Sequence, residues 1–321
     1  MSRRFGLALT AVAMVVAMVV AMVVVVACGG NDPASRGRSP ADGMRVASFD
    51  FAESVLLAEI FAQVIESTGT PVVRVGTVGP REIIAPALEL GHIDVVPEYL
   101  GTALQYVGAA ETDPDTASAL AELDARLVER GLTALDAAPA EDKNVFVVAR
   151  EFAVAESLVN ISDLAGLAPR LRFGGPPECQ DRMLCMAGLE SVYGLQFAEF
   201  VPQRSLRFTA EALQRNEIEV GLMFSTAAQM LTNELVELVD DRGMQPAENI
   251  VPVARIDALQ RWGSDVEDAL NAMSEQLTTL ELRALNQQVA DDQPVEDTAR
   301  GWLLAHDLLP HASPPGASPT S

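Results

Sequence analysis

Glu98, Tyr99 and Thr102 stand within five residues of one another in the stretch Leu90–Tyr106, "LGHIDVVPEYLGTALQY". An acid, an aromatic ring and a hydroxyl held around Pro97 and Gly101 can grip a small polar or charged molecule. They lack the makings of a nucleophilic site. The apolar run "IDVV" reads as a buried strand that breaks at Pro97 and is followed by a tight turn. Asp94 and Glu98 could make a carboxylate pair for general acid–base work, which requires the two carboxyls to converge across a cleft. The chain has no G-x-S-x-G elbow, no P-loop and no metal-ligand cluster, so an enzyme is the weaker reading and no cofactor is called for. Zinc is disfavoured as well, because three scattered histidines (His92, His306, His311) and three cysteines make no ligand set.

Such a tip must be carried by a scaffold. The 321 residues suffice for two ordinary domains or one large one, and a hydrophobic content of 49% supports a sizeable core. Strand-like segments at 44–48, 71–76, 144–149, 170–175 and 219–224 alternate with helical periodicity at 53–68, through "PREIIAPALELG", to Tyr106 and near 115–130. The last 55 or so residues read as helices. This alternation predicts an α/β fold with a mainly parallel sheet in each unit and ligand sites beyond the carboxyl ends of strands. The formal charge of −23 argues against nucleic acid, whose phosphates need a basic surface. Lys143 is the single lysine, a compositional bias.

Both ends separate from this scaffold. Arg3 and Arg4 precede an uncharged run from Phe5 to Ala27 that ends in "VVAC". Residues 1–27 read as a secretory signal, with an uncleaved membrane helix as the alternative. Either places the remainder outside the cytoplasm, attached to the membrane. "VVAC-GG" resembles a bacterial lipobox, which implies lipidation of Cys28. Residues 28–43 are then a Gly/Pro/Ser-rich tether, and 310–321 a disordered tail. In an oxidising compartment Cys179 and Cys185 favour a disulfide over two buried thiols, provided the segment between them is not helical.

Seven stretches in order resemble one family across residues 44–308: "VASFDFAESVLLAEIFAQVIE", "ALELGHIDVVPEYLGTAL", "ISDLAGLAPRLRFGGPPECQDR", "GLESVYGL", "VGLMFSTAAQM", "LVDDRGMQPAENIVPVAR" and "LNAMSEQLTTLELRALNQQV". They resemble the glycine betaine/choline (quaternary ammonium) substrate-binding lipoproteins of ABC transporters, the OpuAC-like family. The resemblance implies a type II periplasmic-binding fold: lobe one at 44–143 plus 247–309, lobe two at 144–246, and ligand trapped between them by hinge closure. It further implies an osmolyte-type ligand, ABC permease and ATPase subunits as partners, and transport rather than catalysis. A different small zwitterionic or polar solute, or a sensing role, remains open.

Carried over residue by residue, the ligand set is Phe51, Tyr99, Thr102, Asp142, Lys143, Arg182, Phe224, Thr226 and Glu248. A trimethylammonium group offers no N–H donor, so aromatic faces must hold it; Arg182 would meet an anionic tail. Phe51 and Phe224 can also be read as core residues, Arg182 as a surface ion-pair member and Asp142 as a turn residue. Tyr193 reads as packing. Two departures stand out. Ala227 replaces an acid present in many relatives, and Glu248 lies near a place where some carry a tyrosine, so it either meets a cation directly or faces solvent.

Overall fold

The computed structural model describes residues 43–109, 115–231 and 234–310. The leader, Cys28, the tether before Gly43 and the tail after Pro310 lie outside the described residues. No helix among the described residues is long and apolar enough to cross a membrane.

The strands are β1 Met44–Ser48, β2 Val72–Thr77, β3 Val95–Tyr99, β4 Leu132–Ala134, β5 Asn144–Ala149, β6 Arg172–Gly175, β7 Glu199–Pro202, β8 Val220–Phe224, β9 Leu235–Leu238 and β10 Ile250–Arg255. The helices are α1 Ala52–Ser67, α2 Arg81–Glu89, α3 Leu100–Tyr106, α4 Thr116–Val128, α5 Arg150–Glu156, α6 Met186–Tyr193, α7 Leu206–Gln214, α8 Ile256–Trp262, α9 Ser264–Gln276, α10 Thr279–Ala290 and α11 Val295–Ala305. They build two five-stranded sheets, β2-β1-β3-β10-β4 and β7-β6-β8-β5-β9. In each sheet the strand in fourth place, β10 or β5, runs antiparallel to both neighbours. The sheets are therefore mainly parallel with one reversal apiece.

The reversal matters for function. The co-directional strands point their carboxyl ends to one edge of each sheet, and the reversed strand brings its amino end to the same edge. Tyr99 ends β3 opposite Ile250 at the start of β10; Phe224 ends β8 opposite Asn144 at the start of β5. The first sheet's core draws on residues 44–140 and 247–309, the second's on 145–238. Two stretches of chain run between the sheets and pair with each other. The Ile250 amide donates to the Ala140 carbonyl (2.9 Å), and the Asp142 amide to the Glu248 carbonyl (2.9 Å).

Pro97 does not end the strand, contrary to expectation: β3 continues through it to Tyr99. Its partner in register is Pro252 of β10. The Pro252 carbonyl accepts from the Leu135 amide on its other side (2.9 Å), so the two prolines face each other at a non-hydrogen-bonded pair where neither needs an N–H.

Helix α1, "AESVLLAEIFAQVIES", buries most of its length between the first sheet, α9, α10 and α11. Phe51, in extended conformation, precedes it, and Glu53 in its first turn complements the positive end of the helix. It stops where Gly69 takes positive φ.

Candidate functional site

Between the two sheet edges lies a cavity of about 590 Å³, within the usual range for small-molecule sites. Its lining comes from β-strand tips and the two crossing segments. Eight of the nine residues expected at a site line it: Phe51, Tyr99, Thr102, Asp142, Lys143, Arg182, Phe224 and Glu248. Thr226 does not. It is buried, and its hydroxyl donates to Asp142 Oδ1 at 2.7 Å.

The aromatic wall is built by three rings. Phe49 and Phe51 stack at 5.8 Å, and Tyr99 tilts against both, at 6.4 and 5.8 Å. Tyr99 is 6% exposed while Phe51 is 44% exposed. Phe51 thus presents the open face, and Tyr99 backs it. The Tyr99 hydroxyl donates to Glu53 Oε1 (2.9 Å), and burial followed by the Glu53 charge holds the phenol well above its ordinary pKa. From the second sheet, Phe224 offers a further open ring at 43% exposure. Neither phenylalanine is a plain core residue.

Glu248 neither faces solvent nor stands free before a cation. Its Oε2 accepts from the amides of Gly101 and Thr102, both at 3.1 Å. Helix α3 follows β3 without a loop and has no side-chain cap of its own, so these first-turn amides would otherwise lack partners. The crossing segment thereby caps the helix that follows the first sheet's central strand. Gly101 makes this approach possible: a Cβ there would lie 2.8 Å from the Ala247 carbonyl and 3.1 Å from Glu248 Oε1. Burial pushes the Glu248 carboxyl up to about 7 against the pull of the Thr102 amide and Arg81.

Arg81 went unnoticed in the sequence, although it stands just past the tip of β2 as Glu98 and Tyr99 stand at that of β3. It forms a bidentate ion pair with Glu98 (closest contact 2.8 Å), donates to the Thr102 hydroxyl at 3.0 Å, and lies 5.2 Å over the Phe49 ring. The Asp94–Glu98 pair considered for hydrolysis does not exist. Asp94 is instead bound to the Arg45 guanidinium and amide. Lys143 pairs with Glu141 at 2.6 Å. Gln105, Asn144, Leu184, Gln245 and Pro246 also line the cavity and were not anticipated. Asn144 and Gln245 both donate to the Leu184 carbonyl, at 3.1 and 3.0 Å, and hold that loop in place.

Cys179 and Cys185 are joined by a disulfide, with Cα atoms 5.3 Å apart, across a 3₁₀ turn and a short loop ahead of α6. The small ring it closes carries Arg182, Met183 and Leu184 to the cavity. Chain-entropy reasoning gives such a short closure roughly 2 kcal/mol, here applied to a loop that bears site residues. The Arg182 guanidinium makes no hydrogen bond or ion pair among the described residues, and no metal-ligating cluster occurs among them.

Residues 42–305 match the family described as the substrate-binding domain of the ABC-type glycine betaine transport system. The chain is 26% identical over 255 residues to the carnitine transport binding protein OpuCC of Listeria monocytogenes, covering 78% of this chain and 82% of that one. It is 23% identical over 265 residues to the glycine betaine-binding protein YehZ of Escherichia coli, covering 78% and 86%. Among solved structures, one titled as a glycine betaine/carnitine/choline ABC transporter superposes with a TM-score of 0.77 at 21% identity, over 83% of this chain and 99% of that one, which shows a shared fold. The two-sheet architecture, the strand-tip cleft and the match over residues 42–305 agree: the chain belongs to the family of substrate-binding domains of ABC-type glycine betaine transport systems.

Proposed function

We propose that this protein captures a small quaternary ammonium solute outside the cytoplasm and hands it to an ABC permease, without catalysis. The observation that carries the ligand class is that two exposed phenylalanine rings, Phe51 and Phe224, at the tips of opposite sheets, line one cavity together with Asp142 and Glu248. A cation lacking N–H groups is attracted to ring faces by roughly 0.5–2 kcal/mol per contact, and carboxyl groups lining the same cavity add attraction when they ionise. Arg182, without a side-chain partner among the described residues, lines the cavity and can receive the carboxylate of a zwitterion such as glycine betaine or carnitine. Residues 44–143 with 247–309 act as one lobe and 144–246 as the other. The paired crossing segments serve as the hinge on which they close. The leader and Cys28 supply a lipid anchor.

Isothermal titration of the full chain with glycine betaine, choline, carnitine and a neutral polyol tests this reading. Saturable binding of at least one quaternary amine, with none for the polyol, is the expected result. Heat with the polyol alone, or with none of the four, refutes the ligand class.

A further inference from the structure

The floor of the cleft holds a pair of carboxyl groups. Asp142 lies on the first crossing segment and lines the cavity. Glu53, buried in the first turn of α1, lies behind it. Asn286 Nδ2 donates to Glu53 Oε2 (2.6 Å) and to the Thr226 carbonyl (3.0 Å), and the Thr226 hydroxyl donates to Asp142, so one short network joins the two carboxyls. Two ionised carboxylates do not share such a network away from water; one of them keeps a proton. Counting donors locates it. Glu53 accepts at both oxygens, from the Tyr99 hydroxyl at 2.9 Å and from Asn286 Nδ2 at 2.6 Å. Among the described residues Asp142 accepts the Thr226 hydroxyl, at Oδ1, which leaves Oδ2 to carry the proton. Burial, then the charge of Glu53, holds the Asp142 carboxyl well above the usual carboxylate range, in agreement with that count.

The other charged groups around Asp142 are largely matched. On its own segment Lys143 is paired with Glu141, and across the cleft Arg81 is paired with Glu98. On the second crossing segment Glu248 is held by two backbone amides. Behind the pair, Arg283 of α10 is committed to Glu237 and the Ser225 carbonyl. Arg182, in the disulfide-closed loop, has no charged partner among the described residues.

We propose that the Glu53–Asp142 pair determines specificity by exchanging its proton for the positive charge of the ligand. The Asp142 O–H bond breaks, the proton passes to solvent, and the electron pair stays as a carboxylate charge facing the ammonium group. A pure cation such as choline drives this exchange most strongly. A zwitterion drives it less, because its own carboxylate offsets the field, and a neutral solute does not drive it at all. The inference rests on the quaternary ammonium reading above. Its sign follows from linkage: binding that releases a proton tightens as pH rises, by up to about tenfold per pH unit per proton, and levels off once the free site is itself ionised.

The test is titration of the full chain with choline at pH 8 in phosphate and in Tris, two buffers with different ionisation enthalpies. Glu248, near 7, is mostly ionised at that pH. The observed heats should differ between buffers by an amount approaching one released proton. Asp142→Asn, whose amide can replace the protonated acid but cannot ionise, should bind choline more weakly and with no release. Glu53→Gln, which removes the neighbouring charge and gives up one of the two accepting oxygens, should reduce release as well. Choline binding with equal heats in both buffers overturns the proposal and leaves the ligand class standing, as does undiminished release in Asp142→Asn. Failure of every quaternary amine to bind overturns both.

Discussion

Tyr99→Ala is expected to lower stability by about 3–5 kcal/mol, the usual cost of deleting a buried aromatic ring. The ring is 6% exposed, packs against Phe49 and Phe51, and holds Glu53 through its hydroxyl. For a body of this size that loss corresponds to a melting temperature lower by roughly 10 °C. Because Tyr99 supports Phe51 from behind, ligand affinity should fall more than the loss of one direct ring contact explains, by about tenfold or more. Tyr99→Phe separates the two roles. It keeps the ring and removes only the bond to Glu53, costing about 1–2 kcal/mol of stability and leaving affinity within a few-fold. Thermal denaturation and titration of both variants check the pair. Equal losses of affinity in the two would show that the hydroxyl, rather than the ring, is what the ligand needs.

Gly101→Ala should cost about 1–3 kcal/mol through overpacking and should weaken binding disproportionately. The new methyl group meets backbone on the crossing segment, at 2.8 Å from the Ala247 carbonyl, where no flexible side-chain end can yield. Relief requires that segment to move away from α3, which breaks the bonds from Gly101 and Thr102 to Glu248 and shifts one of the two crossing segments. Ala103→Gly, two residues further along the same helix, serves as the comparison, since it weakens α3 by about 1 kcal/mol of propensity, plus the loss of one buried methyl group, without touching the crossing segment. If both variants bind equally well at matched stability, the close approach at Gly101 has no part in forming the site.

Much of this site could be read from residue types because its parts are local. The β3 tip announces itself through the Pro, aromatic and Gly-Thr sequence, and the cysteine pair through its spacing. What escaped reading depends on distant chain meeting at one point. Glu248 caps a helix 146 residues earlier, and Asn286 reaches Glu53 across 233 residues; neither has a local signature. Strand β10 was missed because Pro252 reads as a breaker, and only its register against Pro97 removes the conflict. Strands β4, β7 and β9 have three or four residues, too few to show a period. Tyr99 was expected to offer its face to a ligand. Tyr99 lines the cavity, but its hydroxyl turns inward to Glu53 of α1, the helix that follows Phe51, and the more exposed ring is that of Phe51.

The central claim is that ring faces from opposite sheets enclose a quaternary nitrogen at the strand tips. A crystal structure of the full chain grown with choline addresses it most directly. The account predicts the nitrogen within about 6 Å of the Phe51 ring centroid, with Phe224 drawn toward it from the other side and Asp142 facing its charge. Choline bound with its nitrogen away from both rings, or anywhere outside the cleft, would contradict it.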